Sequence, residues 1–86
     1  LLNNKEISIA EKITQNLILF KKKLKKNKDI KNLINIKKNS LRKLYNINIE
    51  YLELRNINNL VKSDSIKKSK LFVAYYLNKI RLIDNF

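Results

Sequence analysis

LFVAYYLNKIRLIDNF, residues 71–86, decides how this chain folds. Leu71–Leu77 is a continuous apolar and aromatic run, Ile80–Ile83 is a second, and Asn78 and Lys79 lie between them. Two short apolar runs joined by two residues read as a β-hairpin. A tight turn needs a residue that tolerates positive φ, and Asn does so far better than most. The chain has no Gly, so Asn is expected to supply every left-handed position. By the same logic Asn27 and Asn46 fall where helix C-caps would want Gly. Both faces of the hairpin are apolar, whereas a sheet with one face in water alternates polar and apolar residues. One face can pack on the rest of the chain, and the other needs a cover that these 86 residues do not supply.

Just upstream, INIEYLEL (residues 47–54) places Ile47, Ile49 and Tyr51 on one side at period two and Glu50, Leu52 and Leu54 on the other, which predicts a strand. NINNL (56–60) reads as one helical turn begun by Asn56, and VKSDSIKKSK (61–70) as a polar connection. Nearer the start, Asn3 and Glu6 have the spacing of a helix N-cap and its reciprocal partner. Ala10, Ile13, Leu17, Phe20 and Leu24 follow at steps of three and four, predicting a helix over Lys5–Lys26. A second helix is predicted from Asp29 as N-cap to about Tyr45, with Ile30, Leu33, Ile34, Leu41 and Leu44 on one stripe and Lys37 interrupting it. The short link around Asn27 makes an antiparallel helical hairpin the natural arrangement. The expected fold class is α+β: a helical hairpin packed on a small, mostly antiparallel sheet that ends in a β-hairpin, in one domain over residues 1–86.

Lys (17), Asn (14) and Ile (13) make 44 of the 86 residues, and Gly, Pro, Cys, Met, Trp and His are all absent. These three residues share codons that A and T alone can write, so an AT-biased genome drives a protein this way whatever its function. The net charge of +13 is therefore weaker evidence for a polyanion partner than a basic domain usually offers. Proteins selected to hold phosphate favour the Arg fork, yet Lys outnumbers Arg 17 to 3. Two of those three, Arg55 and Arg81, lie in the two segments that look least like the rest. The lysines of KKKLKK (21–26) also suit a solvated helix end, where they complement the macrodipole. Without Cys or His there is no disulfide, thiolate metal site or imidazole base. No apolar run approaches a transmembrane span and no basic-then-apolar leader opens the chain, so a cytoplasmic protein is expected. The first residue is Leu1, not Met, which suggests sequence upstream.

INIEYLELRNINNL followed by KLFVAYYLNKIRLIDN resembles the C-terminal domain of the pantoate-beta-alanine ligase (pantothenate synthetase) family. There a Gly-containing helix end leads into a strand of the type VDYLELRD, a short ETL turn follows, and a hairpin ends in G-x-T-R-L-I-D-N. Asn46 and Asn78 stand where that family has Gly, and Ile80 where it often has Thr. LLNNKEISIAEKI (1–13) is similar, more loosely, to the YLS-x-E-E-R-x-x-A opening of the domain's first helix. Arg81 and Asp84 are close enough in the chain to belong to one charged feature at the sheet edge; the resemblance makes them structural, and an ordinary surface charge pair worth under about 1 kcal/mol is the equal alternative.

The resemblance implies an enzyme that joins pantoate to beta-alanine with ATP and Mg2+, through a pantoyl adenylate. Its H-x-G-H and K-x-S-x-S-R-N motifs belong to an upstream Rossmann-like, nucleotide-binding domain that is absent from this chain, the second motif ending just before the position of Leu1. No catalytic, cofactor-binding or metal-binding residue is assigned here: catalytic none, cofactor-binding none, metal none. The implied role is that of a lid that closes over the active site and excludes water, with the upstream domain as partner and a homodimer when full length. No membrane and no specific nucleic acid is expected. Two other readings stay open: a small Lys-rich nucleic-acid-binding module, against which the Tyr and Phe residues form no evident stacking array, and an inactive remnant of the ligase.

Overall fold

The computed structural model describes residues 2–24, 29–63 and 66–86. Two helices, α1 (Asn4–Leu24) and α2 (Ile30–Tyr45), are followed by three strands, β1 (Asn48–Asn56), β2 (Ser69–Leu77) and β3 (Ile80–Asn85). The strands form one antiparallel sheet in the order β1-β2-β3. This is the expected α+β arrangement.

The capping box at the start of α1 forms in both directions. The Glu6 N–H donates to Asn3 Oδ1 at 2.8 Å and the Asn3 N–H donates to Glu6 Oε1 at 2.9 Å, satisfying two of the helix's orphan donors. Glu6 is buried, and its other carboxylate oxygen accepts the side-chain amide of Asn78 from the hairpin turn. One carboxylate thus ties the first turn of α1 to the far end of the sheet. Asp29 occupies the N-cap position of α2 but makes no side-chain cap bond.

The predicted stripe of α1 is buried at Ile13, Leu17, Phe20 and Leu24. On α2 only Ile30 and Leu41 are fully buried, while Leu33 and Ile34 pack partly against the core. Leu44, expected on that stripe, is 63% exposed. The chain leaves the helix two residues later, at Asn46, whose φ of 52° and ψ of 45° form a left-handed cap. The last turn therefore overhangs the core. Across from the helices, Leu71, Val73, Tyr75 and Leu77 of β2 meet Ile49, Leu52 and Leu54 of β1 in one core. At roughly 2 kcal/mol for each fully buried aliphatic side chain, this seam is what a chain of this size has to offset its chain entropy.

Asn78 has φ 56°, as its turn position requires. The expectation that Asn supplies every such position fails, because Leu60 (φ 58°) and Lys68 (φ 54°) are left-handed too. Both are held by backbone bonds: the Leu60 N–H donates to the Asn56 carbonyl at 2.9 Å, closing the predicted single turn, and the Lys68 carbonyl accepts the Ile57 N–H at 2.9 Å. Those bonds outweigh a steric cost of roughly 1–2 kcal/mol for each side chain. Asn27 lies outside the described residues.

Candidate functional site

The sheet has two unlike faces. Register places Tyr51, Glu53 and Arg55 of β1 opposite Ala74, Phe72 and Lys70 of β2, and Ala74 and Tyr76 opposite Ile83 and Arg81 of β3. These residues lie on the face away from the helices, and its centre is apolar. Ala74 is fully buried between its neighbours, whereas Ile83 is 59% exposed. Tyr51, Phe72 and Tyr76 are half-buried. No element of the described chain covers this face, in keeping with the reading that the hairpin is apolar on both sides.

A β-bulge corrects the predicted phase of β1. Ile49 pairs with Tyr75 and Tyr51 with Ala74, leaving Glu50 as the extra residue. Ile49 therefore shares the core face with Leu52 and Leu54, and Glu50 joins Tyr51 on the open face instead of standing with the two leucines. The signal was in the sequence, since core-type positions 47 and 49 and then 52 and 54 cannot keep one period of two. Arg42 of α2 donates from Nη2 to the Ile49 carbonyl at 2.9 Å, just where the strand kinks.

The bulge aims Glu50 across the sheet. Arg81 Nη2 lies 2.5 Å from Glu50 Oε2, and the Tyr76 hydroxyl donates to Glu50 Oε1 at 3.4 Å. The hydrogen bond from Arg81, more than its charge, holds the Glu50 carboxyl below the usual range, and the same bond raises Arg81. Arg81 and Asp84 do not form one feature. They stand on opposite faces of β3, opposite Tyr76 and Val73 respectively, so Arg81 finds its carboxylate on β1. Asp84 acts instead on Tyr75, whose hydroxyl is pushed up mainly by burial and then by that negative charge.

A second Arg–Glu pair marks the other end of the face. Arg55 Nη2 is 3.1 Å from Glu53 Oε1, and its guanidinium carbon lies 5.3 Å from the Tyr51 ring centre and 5.8 Å from that of Phe72. Lys62 Nζ reaches Glu53 Oε2 at 3.6 Å, too far for a hydrogen bond, so Glu53 Oε2 and Arg55 Nε are buried without partners. All three arginines thus bond to β1, at the Ile49 carbonyl, Glu50 and Glu53.

An apolar, aromatic centre with Arg at its margin and few Lys is the composition of a protein interface. Its two carboxylates, Glu50 and Glu53, are each engaged by Arg. Among the described residues no group of three or more His, Cys, Asp or Glu could hold a metal ion. No helix among them is long and apolar enough to cross a membrane.

A family model described as pantoate-beta-alanine ligase matches residues 1–86. No curated protein and no solved structure matches the chain.

Proposed function

From the premise that this chain belongs to the pantoate-beta-alanine ligase family, we propose that it is the C-terminal lid of an AMP-forming ligase. The active site it serves lies on an upstream nucleotide-binding domain. The observation that carries this reading is the open sheet face: Tyr51, Phe72, Ala74, Tyr76 and Ile83 between two Arg–Glu pairs, a surface suited to docking rather than to reaction. In this proposal ATP and Mg2+, which the family reaction uses, are held by the upstream domain. The chain has no Gly for a phosphate loop and no His, and the carboxylates of the open face are committed to Arg.

What this chain contributes is closure. An acyl adenylate is a mixed anhydride that water hydrolyses, so covering it until the amine of beta-alanine attacks protects the product-forming path. The apolar face supplies docking energy, and the paired charges at its ends set register. A cytoplasmic location and a full-length homodimer belong to the same proposal.

The test joins the upstream domain, through its S-R-N segment, to Leu1. The fusion is expected to form pantothenate and AMP faster than the upstream domain alone, and the 86-residue chain alone to form neither. Equal rates for fusion and upstream domain would favour an inactive remnant.

The lysine background makes a separate prediction. Binding to DNA or RNA should be weak, indifferent to sequence, and fall by roughly 10³-fold or more between 50 and 200 mM salt if six or more phosphates are contacted. Tight binding to one sequence at physiological salt, measured by fluorescence anisotropy, would replace the lid with a nucleic-acid module.

A further inference from the structure

The turn that follows β1 carries three large aliphatic side chains that the fold leaves in water. Ile57, Leu60 and Val61 are 51%, 55% and 60% exposed. Solvent-facing turns ordinarily take Asn, Asp, Ser or Gly. This chain has 14 Asn and places two of them at its left-handed positions 46 and 78, yet the left-handed position in this turn is Leu60.

The turn holds its shape without those side chains. The Asn56 N–H donates to the Val61 carbonyl at 2.9 Å and the Ile57 N–H to the Lys68 carbonyl at 2.9 Å. The Asn58 N–H donates to Asn56 Oδ1 at 2.8 Å and the Val61 N–H to Asn59 Oδ1 at 3.0 Å. Together with the bond from Leu60 to Asn56, these fix the backbone through main-chain groups and Asn side chains alone. Asn at position 60 would keep every one of these bonds with less steric strain. Folding thus gives no reason for an exposed leucine there, and a strained apolar residue in a fixed frame points to a contact made with something else.

The turn is continuous with the open sheet face. Lys62, next after Val61, pairs with Arg55 in a β-bridge and reaches Glu53, so the turn is tied to the Arg55–Glu53 end of that face. Lys62, Lys68 and Lys70 are exposed around the aliphatic residues, and Lys70 stands opposite Arg55 on β2. An apolar centre with a basic rim is complementary to an apolar surface with an acidic rim.

We propose that Ile57, Leu60 and Val61 form a second docking element, which seats in an apolar, acid-rimmed depression on the upstream nucleotide-binding domain when the lid closes. The proposal rests on the lid reading and extends its docking surface from the sheet face to the turn.

The test uses the fusion of the upstream domain to Leu1 and follows both pantothenate formation and thermal unfolding. Leu60→Asn is expected to cut the fusion's rate gain about tenfold, with a Tm equal to the parent's or higher. Leu60→Met keeps both the strain and the apolar contact and should retain the gain. Lys70→Glu should reduce it, whereas Lys43→Glu, at an exposed position on α2, should not. If the parent fusion is no faster than the upstream domain alone, the lid and this docking element fall together. If the parent shows the gain and Leu60→Asn keeps it, the docking element alone is overturned. Self-association of the 86-residue chain that Leu60→Asn abolishes, seen by light scattering, would assign the turn to a second copy and likewise overturn the proposal.

Discussion

Glu6→Ala lowers the stability of this chain by about 2–3 kcal/mol and Asn78→Gly by about 1–2 kcal/mol, whereas Asn46→Gly is neutral or mildly stabilising, within about 0.5 kcal/mol of the parent. The contrast between the two Asn→Gly changes follows from what each side chain does. Asn46 and Asn78 are both left-handed, at φ 52° and 56°, and Gly removes the strain at either position. Asn78 also donates its amide to buried Glu6, and Gly leaves that carboxylate oxygen short of a donor. Glu6→Ala removes more, because the same side chain completes the capping box with Asn3 and places a negative charge at the positive end of α1. For a chain of 86 residues, whose total stability is on the order of 4–13 kcal/mol, the Glu6 variant loses a large share. Urea melts of the three variants at neutral pH measure the order. A double-mutant cycle between Glu6→Ala and Asn78→Gly should return a coupling of about 1 kcal/mol or more. A coupling near zero would remove the tie between α1 and the hairpin.

From the sequence alone, Gly at Asn78 looks harmless, because the turn is a local event and its partner lies 72 residues away. That difference between local and distant causes separates what the sequence shows from what it hides. The stripe of α1, the capping box and the two left-handed Asn positions depend on neighbours within a few residues, and the pattern displays them. The bulge at Glu50 depends on how β1 meets β2, so a regular period of two misplaces it. Leu60 and Lys68 take positive φ because backbone partners hold them there. No residue preference announces that. Arg81 illustrates the same limit: Asp84 is its near neighbour in sequence, while its carboxylate is on β1, 31 residues away. The uncovered face was legible, since two apolar faces on one hairpin exceed what one pair of helices can bury. The paired charges that flank it were not.

Ile83→Glu abolishes the rate gain of the fused ligase while leaving the isolated chain's stability within about 0.5 kcal/mol of the parent. Ile83 sits on the open face opposite Ala74 and is 59% exposed, so in the isolated chain a carboxylate there remains in water. Docking changes its surroundings. A carboxylate trapped against an apolar surface without a partner costs roughly 2–4 kcal/mol, which is about 30- to 1000-fold in the closed-to-open equilibrium. Leu44→Glu is the matched control: Leu44 is 63% exposed, but on the overhanging last turn of α2. The same charge placed there should leave the fusion's rate close to the parent. The assay follows pantothenate formation by the parent fusion and both variants, with melting curves of each chain alone. Because the two residues start from nearly the same exposure, general effects of added charge or lost apolar surface are shared between them. If Leu44→Glu is the more damaging change, the docking surface lies on α2 and the sheet face serves another purpose. If only Ile83→Glu disables the fusion, the face flanked by Glu50–Arg81 and Glu53–Arg55 is the one that closes.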